Sequence, residues 1–256
     1  MSALEFFQFP TLSDNYGVLV NDPVSGDTAS IDAPDAGDVN NALETKGWSL
    51  THILVTHHHF DHVQGIAQLK EANRCHVIGP ADEADKIDTL DQTVSDGESF
   101  EFGGEPVRCI STPGHTLGMI NYHFPESSVI FTGDTLFSLG CGRIFEGDPA
   151  MMWASMRKLI ELAPETQVYC GHEYTQSNAR FALTVDPENA KLVIRAAKVD
   201  ALRAEGKPTL PTTIGEELAT NPFMRVDDPA IRQILGMESA SDADVFAEIR
   251  KRKDNA

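Results

Sequence analysis

The 256-residue sequence predicts a layered α/β domain followed by a smaller, mostly α-helical one. Short β-branched runs alternate with segments of helical spacing over the first two-thirds of the chain. The alternation stops at Glu173, after which only helical periodicity stands out. The expected division is therefore residues 1–173 and residues 174–256.

Strands are expected at Tyr16–Val20, Thr28–Ile31, His52–Val55, His76–Ile78, Val107–Ser111, Met119–Phe124, Val129–Phe131 and Val168–Cys170, because alternation and β-branched residues mark them and turn residues separate them. Helical spacing covers Val39–Lys46, Asp61–Glu71 and Met151–Leu162. Beyond Glu173 it covers Asn178–Leu183, Glu188–Glu205, Ile214–Ala219 and Asp242–Lys251, with Pro208 and Pro211 breaking the middle. Thr213, three before Glu216, and Ser241 read as helix caps. No strand is expected in this tail.

Composition narrows the function classes. Hydrophobic residues are 41% and charged residues 23%, ordinary for a soluble chain, and no apolar run nears the roughly 18 residues of a membrane span. The N-terminal stretch MSALEFFQFPTLSDNYG lacks a basic segment followed by an apolar one, so a cytoplasmic location is expected, without membrane contact. Cys75, Cys109, Cys141 and Cys170 form no CxxC pair and read as reduced thiols. A net charge of −19, from 39 acidic and 20 basic residues, argues against nucleic acid as a partner. An anionic small ligand would need a local basic patch. A monomer is expected.

The run Thr56-His57-His58-His59-Phe60-Asp61-His62 follows the apolar strand Ile53-Leu54-Val55. Extended residues alternate sides, so His57 and His59 point the same way and can hold one ion, while Asp61 and His62, displaced sideways at a helix start, could serve a second. The bland alternative makes Asp61 a helix cap with Gln64 completing a capping box, and the histidines polar loop residues. Three further strand ends weigh against it: Pro113-Gly114-His115-Thr116, Gly133-Asp134 and Gly171-His172. Each signal is weak alone; together they are strong.

The order HxHxDH, PGHT, GD and a strand-end GHE resembles the metallo-β-lactamase superfamily. That likeness implies a four-layered αββα sandwich with a metal site at the sheet edges. Gly140-Cys141-Gly142-Arg143-Ile144-Phe145-Glu146-Gly147, Tyr169-Cys170-Gly171-His172-Glu173-Tyr174-Thr175 and Asn221-Pro222-Phe223-Met224-Arg225 more closely resemble the glyoxalase II family, the hydroxyacylglutathione hydrolases, across essentially the whole chain. The resemblance implies a first metal on His57, His59 and His115, a second on Asp61, His62 and His172, and Asp134 bridging them. His52, His58, His76 and His123 stay outside the set and read as structural or surface residues.

Imidazole and carboxylate ligands suit two divalent ions, zinc first, with iron or manganese as alternatives. A zinc-bound water falls from a pKa of 15.7 to about 7, so a bridging hydroxide can attack a thioester carbonyl, with Asp61 orienting it and Asp134 holding the pair of ions. The thiolate leaves without an obligatory acid, because thiol pKa values lie near about 8.5. The implied reaction is hydrolysis of S-(2-hydroxyacyl)glutathione, typically the S-D-lactoyl thioester, to glutathione and a 2-hydroxy acid.

The glutathione thioester would be held by cations of the chain. Val245, Phe246 and Ile249 share one face of the last helix, which ends in Arg250-Lys251-Arg252-Lys253. From residues alone, that basic end is a solvated helix C-terminus favoured by the dipole. The resemblance instead assigns Arg250 and Lys253, i and i+3 on one face, to glutathione, together with Arg143 and Tyr174. Phe145 stands where relatives carry tyrosine, and is read as ordinary packing.

Competing readings are a one-iron persulfide dioxygenase using His57, His115 and Asp134, a β-lactam hydrolase, a non-catalytic metal-binding or nucleic-acid-binding module, and a cysteine hydrolase built on Cys141. No GxxxxGK[ST] or GxGxxG occurs, so no nucleotide is expected.

Overall fold

The computed structural model describes residues 4–256 and is α/β, with mixed sheets, helices and a helical C-terminal region. Its contacts resolve into two compact units. One holds the described residues up to Ser111 together with Leu117–Gly133; the other holds Thr112–Thr116 and Asp134–Ala256.

The first unit contains ten strands and three helices: β1 (Glu5–Thr11), β2 (Asn15–Asn21), β3 (Thr28–Ile31), α1 (Ala36–Lys46), β4 (His52–Leu54), α2 (Phe60–Val63), α3 (Ile66–Asn73), β5 (His76–Pro80), β6 (Gln92–Val94), β7 (Ser99–Phe102), β8 (Glu105–Ser111), β9 (Ile120–Phe124) and β10 (Val129–Gly133). β1 to β6 form one sheet in sequence order, antiparallel from β1 to β3 and parallel from β3 to β6. Helices α1 and α3 supply the crossovers from β3 to β4 and from β4 to β5, and residues 81–91 make the crossover to β6. β7 to β10 form an antiparallel meander.

Residue alternation separates the faces of the first sheet. Ile53, Val55 and Val77 pack with Val39, Leu43, Ile66 and Leu69 of the helices. The opposite face meets the meander: His52 lies edge-on to Phe102 at 5.4 Å, Phe6 lies 6.2 Å from Phe131, and Tyr122 Oη donates to Val55 O at 2.7 Å. Full burial of parallel strands on both faces explains why they read as unbroken apolar runs.

Four elements of this unit differ from expectation. The helix expected over Asp61–Glu71 is broken into α2 and α3 at Gly65, whose N–H donates to Ala33 O at 2.9 Å; a Cβ there would sit 2.9 Å from that same oxygen. β1 is an edge strand rich in Phe and holding Pro10, which blurs the alternation. β6 (Gln-Thr-Val) and β7 (Ser-Phe-Glu-Phe) are three and four residues long. Strands this short carry little periodic signal.

The second unit contains β11 (Leu136–Phe137), β12 (Gly140–Cys141), α4 (Pro149–Ile160), β13 (Gln167–Cys170), α5 (Thr175–Val185), α6 (Ala190–Ala204), β14 (Thr212–Thr213), α7 (Ile214–Thr220), α8 (Pro229–Leu235) and α9 (Asp242–Asp254). Thr213 and Ser241 cap α7 and α9 by accepting from Glu216 N and Asp244 N, as their spacing predicts. The tail does hold one strand, contrary to expectation: two-residue β14 pairs antiparallel with β13. Helix α8 also escaped notice, although Asp228 caps it, Pro229 opens it and Gly236 ends it in the left-handed region.

On α9, Val245, Phe246 and Ile249 are fully buried, with Phe246 against Trp153 and Phe223 at 5.9 and 5.6 Å. The Asn-Pro-Phe-Met-Arg motif underlies this packing. Asn221 is buried and donates to Gly140 O and Glu217, while Phe223 stacks on Phe181 and meets Phe246 edge-on.

Candidate metal centre and adjoining cavity

The first unit presents four of the candidate ligands where β4 ends. His57 Nε2 and His59 Nδ1 approach to 3.1 Å, the convergence that alternation predicts. The His57 and His62 rings lie 4.1 Å apart, and His62 Nε2 is 3.6 Å from Asp61 Oδ2. Asp61 does not cap α2: the cap position is His59, whose side chain does not cap the helix, and Gln64 donates to Pro34 O instead. Asn15 Nδ2 holds Asp61 Oδ2 at 3.0 Å. The capping alternative is thereby removed.

Asp32, at the end of β3, escaped the sequence reading. It is buried with φ +55°, accepts from Thr56 N at 2.7 Å and from Thr56 Oγ1 at 2.9 Å, and meets His62 Nδ1 at 2.7 Å. Thr56 Oγ1 in turn contacts His57 Nδ1 at 3.0 Å. One carboxylate thus orients two imidazoles. Its position one residue past an apolar strand, like Asp134, was the available signal. His58 turns to buried Glu83, which also accepts from Gly118 N, so it anchors the loop.

The second unit presents the other three. Gly114 has φ +150°, and a Cβ there would meet Met152 Sδ at 2.5 Å, so glycine alone allows the turn that carries His115. His115 Nδ1 contacts Arg143 O at 2.8 Å, and Nε2 lies 3.4 Å from Asp134 Oδ2. His172 Nε2 lies 3.3 Å from the same oxygen. Asp134 therefore sits between two imidazoles, all three buried. Gly142 lies against it, with a Cβ position only 1.9 Å from Asp134 O.

These donors fit divalent metal ions. An imidazole held through one nitrogen has its tautomer fixed and offers the other nitrogen's lone pair. His57, His62 and His115 are each held through Nδ1, by Thr56, Asp32 and the Arg143 carbonyl.

The second unit contains a cavity of about 470 Å³. His115 and Asp134 line it together with Arg143, Tyr174, Arg250 and Lys253. Tyr174 stacks on His172 with centroids 4.7 Å apart. Lys253 Nζ contacts Ser177 at 3.2 Å; burial, then the charges of Arg250 and Arg143, hold its pKa below the usual lysine value. Arg250 is 5% exposed, donates to Cys141 O, pairs with Asp254 and lies over the Phe223 ring. It is not the solvated cation of an ordinary helix end. Phe145 likewise departs from the packing role expected of it: it is 62% exposed, lines the cavity and meets His115 edge-on.

The Cys141 thiol is pushed up to about 11, chiefly by burial, against the opposing pull of Arg250. At neutral pH it is a thiol, which weakens the cysteine-hydrolase reading. Among the described residues no helix is long and apolar enough to cross a membrane.

Two family models match the chain in succession: the metallo-beta-lactamase superfamily over residues 14–172 and the hydroxyacylglutathione hydrolase C-terminus over residues 173–256. A hydroxyacylglutathione hydrolase of Mesorhizobium japonicum is 57% identical over 253 residues, covering 99% of each chain. Among solved structures, ETHE1 from Myxococcus xanthus superposes with a TM-score of 0.69 at 26% identity, covering 96% of this chain and 90% of that one. TTHA1623 in a di-iron-bound form superposes with a TM-score of 0.62 at 25% identity, covering 85% of this chain and 99% of that one.

Proposed function

The chain belongs to the hydroxyacylglutathione hydrolase family of the metallo-β-lactamase superfamily, and from that premise we propose that it hydrolyses S-(2-hydroxyacyl)glutathione, with S-D-lactoylglutathione as the type substrate, to glutathione and a 2-hydroxy acid. The observation that carries this reading is the cavity in which His115 and Asp134 share a wall with Arg143, Tyr174, Arg250 and Lys253. Hydrolytic donors and cations for an anionic carrier are side by side.

The seven candidate ligands are His57, His59, Asp61, His62, His115, Asp134 and His172, and we assign them to two divalent ions, zinc first, with iron or manganese as alternatives. The solved di-iron relative and the Asp134 carboxylate between two imidazoles support a binuclear assignment. When bound, such ions supply an acidified water and a Lewis acid for the thioester carbonyl. The protein's own part is orientation: Asp32 and Thr56 fix the His62 and His57 rings through Nδ1, and Asn15 holds Asp61. Arg143 and Lys253 meet the carboxylates of the tripeptide, and Tyr174, rigid on His172, walls the carrier. The thiolate leaves unassisted. In this reading residues 1–173 carry the hydrolytic chemistry and residues 174–256 most of the carrier site. Four buried free thiols suit a reducing cytoplasm, and a monomer suffices for the cavity.

Thiol release from S-D-lactoylglutathione by metal-loaded protein tests the proposal, with a β-lactam and glutathione persulfide as parallel substrates. Thioester hydrolysis that chelation abolishes is expected. Oxygen uptake with the persulfide and an intact thioester would replace it with the dioxygenase reading.

A further inference from the structure

The cations of the cavity already have an internal anion. Asp254 Oδ1 accepts from Arg250 Nη2 at 2.8 Å and Nε at 3.1 Å, and it lies 3.9 Å from Arg143 Nε. The Nε/Nη2 edge of a guanidinium is one of the edges that grips a carboxylate with two parallel donors. Here Asp254 holds that edge, while Nη1 donates to Cys141 O at 2.9 Å. Arg250 therefore stands in the cavity wall with its carboxylate-binding edge taken.

Resting on the hydrolase reading above, we propose that Asp254 is a specificity-determining residue: it occupies the two-donor edge of Arg250 before substrate arrives and yields it to a carboxylate of the thioester's tripeptide carrier. Binding then exchanges one charge-assisted pair for another. Like charges crowding the site make such an internal anion useful, and the lowered proton affinity of Lys253, caused after burial by Arg250 and Arg143, is the same crowding seen from a third residue. Exchange keeps carrier affinity modest, and it lets the free thiol product leave as Asp254 returns. Asp254 is 43% exposed at its side chain, so it can swing to water when displaced.

The test is Asp254→Asn, which keeps shape and removes charge. With exchange turned into net gain, the inhibition constant of glutathione and the KM of the thioester are expected to fall about fivefold, the upper range for a partly exposed pair. If Asp254 only anchors α9, both constants rise; unchanged constants also overturn the proposal. Wild-type protein that leaves the thioester intact overturns the hydrolase reading instead, before any variant is compared. Should Asp254→Asn fail to fold, the wild-type protein carries the test: the Arg250 Nε–H signal in a nitrogen-15 spectrum, assigned with Arg250→Lys, must shift on saturation with glutathione. A stationary signal overturns the exchange.

Discussion

Replacing Asp32 by Asn changes one oxygen to an amide group and tests how the first unit fixes its imidazoles. Asp32 uses Oδ1 for Thr56 N at 2.7 Å and Oδ2 for Thr56 Oγ1 and His62 Nδ1 at 2.9 and 2.7 Å. An Asn side chain can serve only one of the two positions with its oxygen. If oxygen stays on Thr56 N, the amide N–H faces His62 Nδ1, and the ring must move its proton to Nε2. A protonated Nε2 has no lone pair for a metal. In the flipped orientation the amide faces the Thr56 N–H, leaving a buried donor unmet at a cost of about 1–3 kcal/mol. Backbone strain does not confuse the result, because Asn tolerates the left-handed φ of +55°. The expected loss is about 10–100-fold in affinity for one of the two proposed ions, the usual cost of removing a residue that orients a ligand. That corresponds to about 1.4–2.7 kcal/mol. Competition against a chromophoric chelator, titrated with zinc, reads both affinities, and a melt of metal-free protein checks folding. A folded Asp32→Asn protein with both affinities unchanged would refute the assignment of Asp32 as the residue that sets the His62 tautomer.

Three further outcomes follow from the second unit. Arg143→Ala, which removes a side chain 67% exposed, should raise the thioester KM about fivefold without shifting the melting temperature, because a rim cation contributes to binding but little to stability. Cys141→Ala should keep thioester hydrolysis within about twofold, and wild-type Cys141 should resist iodoacetamide at pH 8, where a thiol near 11 is about 0.1% thiolate. As pH rises through the depressed pKa of Lys253, the ammonium is lost and KM should climb at a lower pH than an ordinary lysine would dictate; Lys253→Arg should move that rise upward.

The two groups of candidate ligands were legible in sequence because each follows a buried strand, where apolar runs end in glycine or a polar residue at a fixed place. The same logic would have exposed Asp32 after Ile31, but one aspartate without a histidine beside it reads as a turn. Glu83 was less accessible still, since its partners His58 and Gly118 lie 25 and 35 residues away and no local pattern joins them. Helix caps at Thr213 and Ser241 were readable because capping is a contact over three residues. The break at Gly65 was not, because the cause is the distant Ala33 carbonyl. For Arg250, charge was visible and burial was not: Cys141, Phe223 and Asp254 enclose it through contacts that periodicity does not encode, except at Asp254, four residues along the same helix.

A protein of net charge −19 repels an anionic thioester at long range, yet its cavity concentrates Arg143, Arg250 and Lys253. The two effects have different reach, so salt separates them. At about 0.01 M ionic strength the Debye length is about 30 Å and the approaching substrate feels the whole negative surface; at about 0.15 M it shrinks to about 8 Å, and local cations prevail. Raising salt over that interval should therefore increase kcat/KM. Approaching 1 M, screening at about 3 Å reaches the exposed Arg143 contact and kcat/KM should decline. A monotonic fall from the lowest salt upward would mean that attraction dominates the encounter, and would contradict a site in which only short-range cations oppose a repulsive surface.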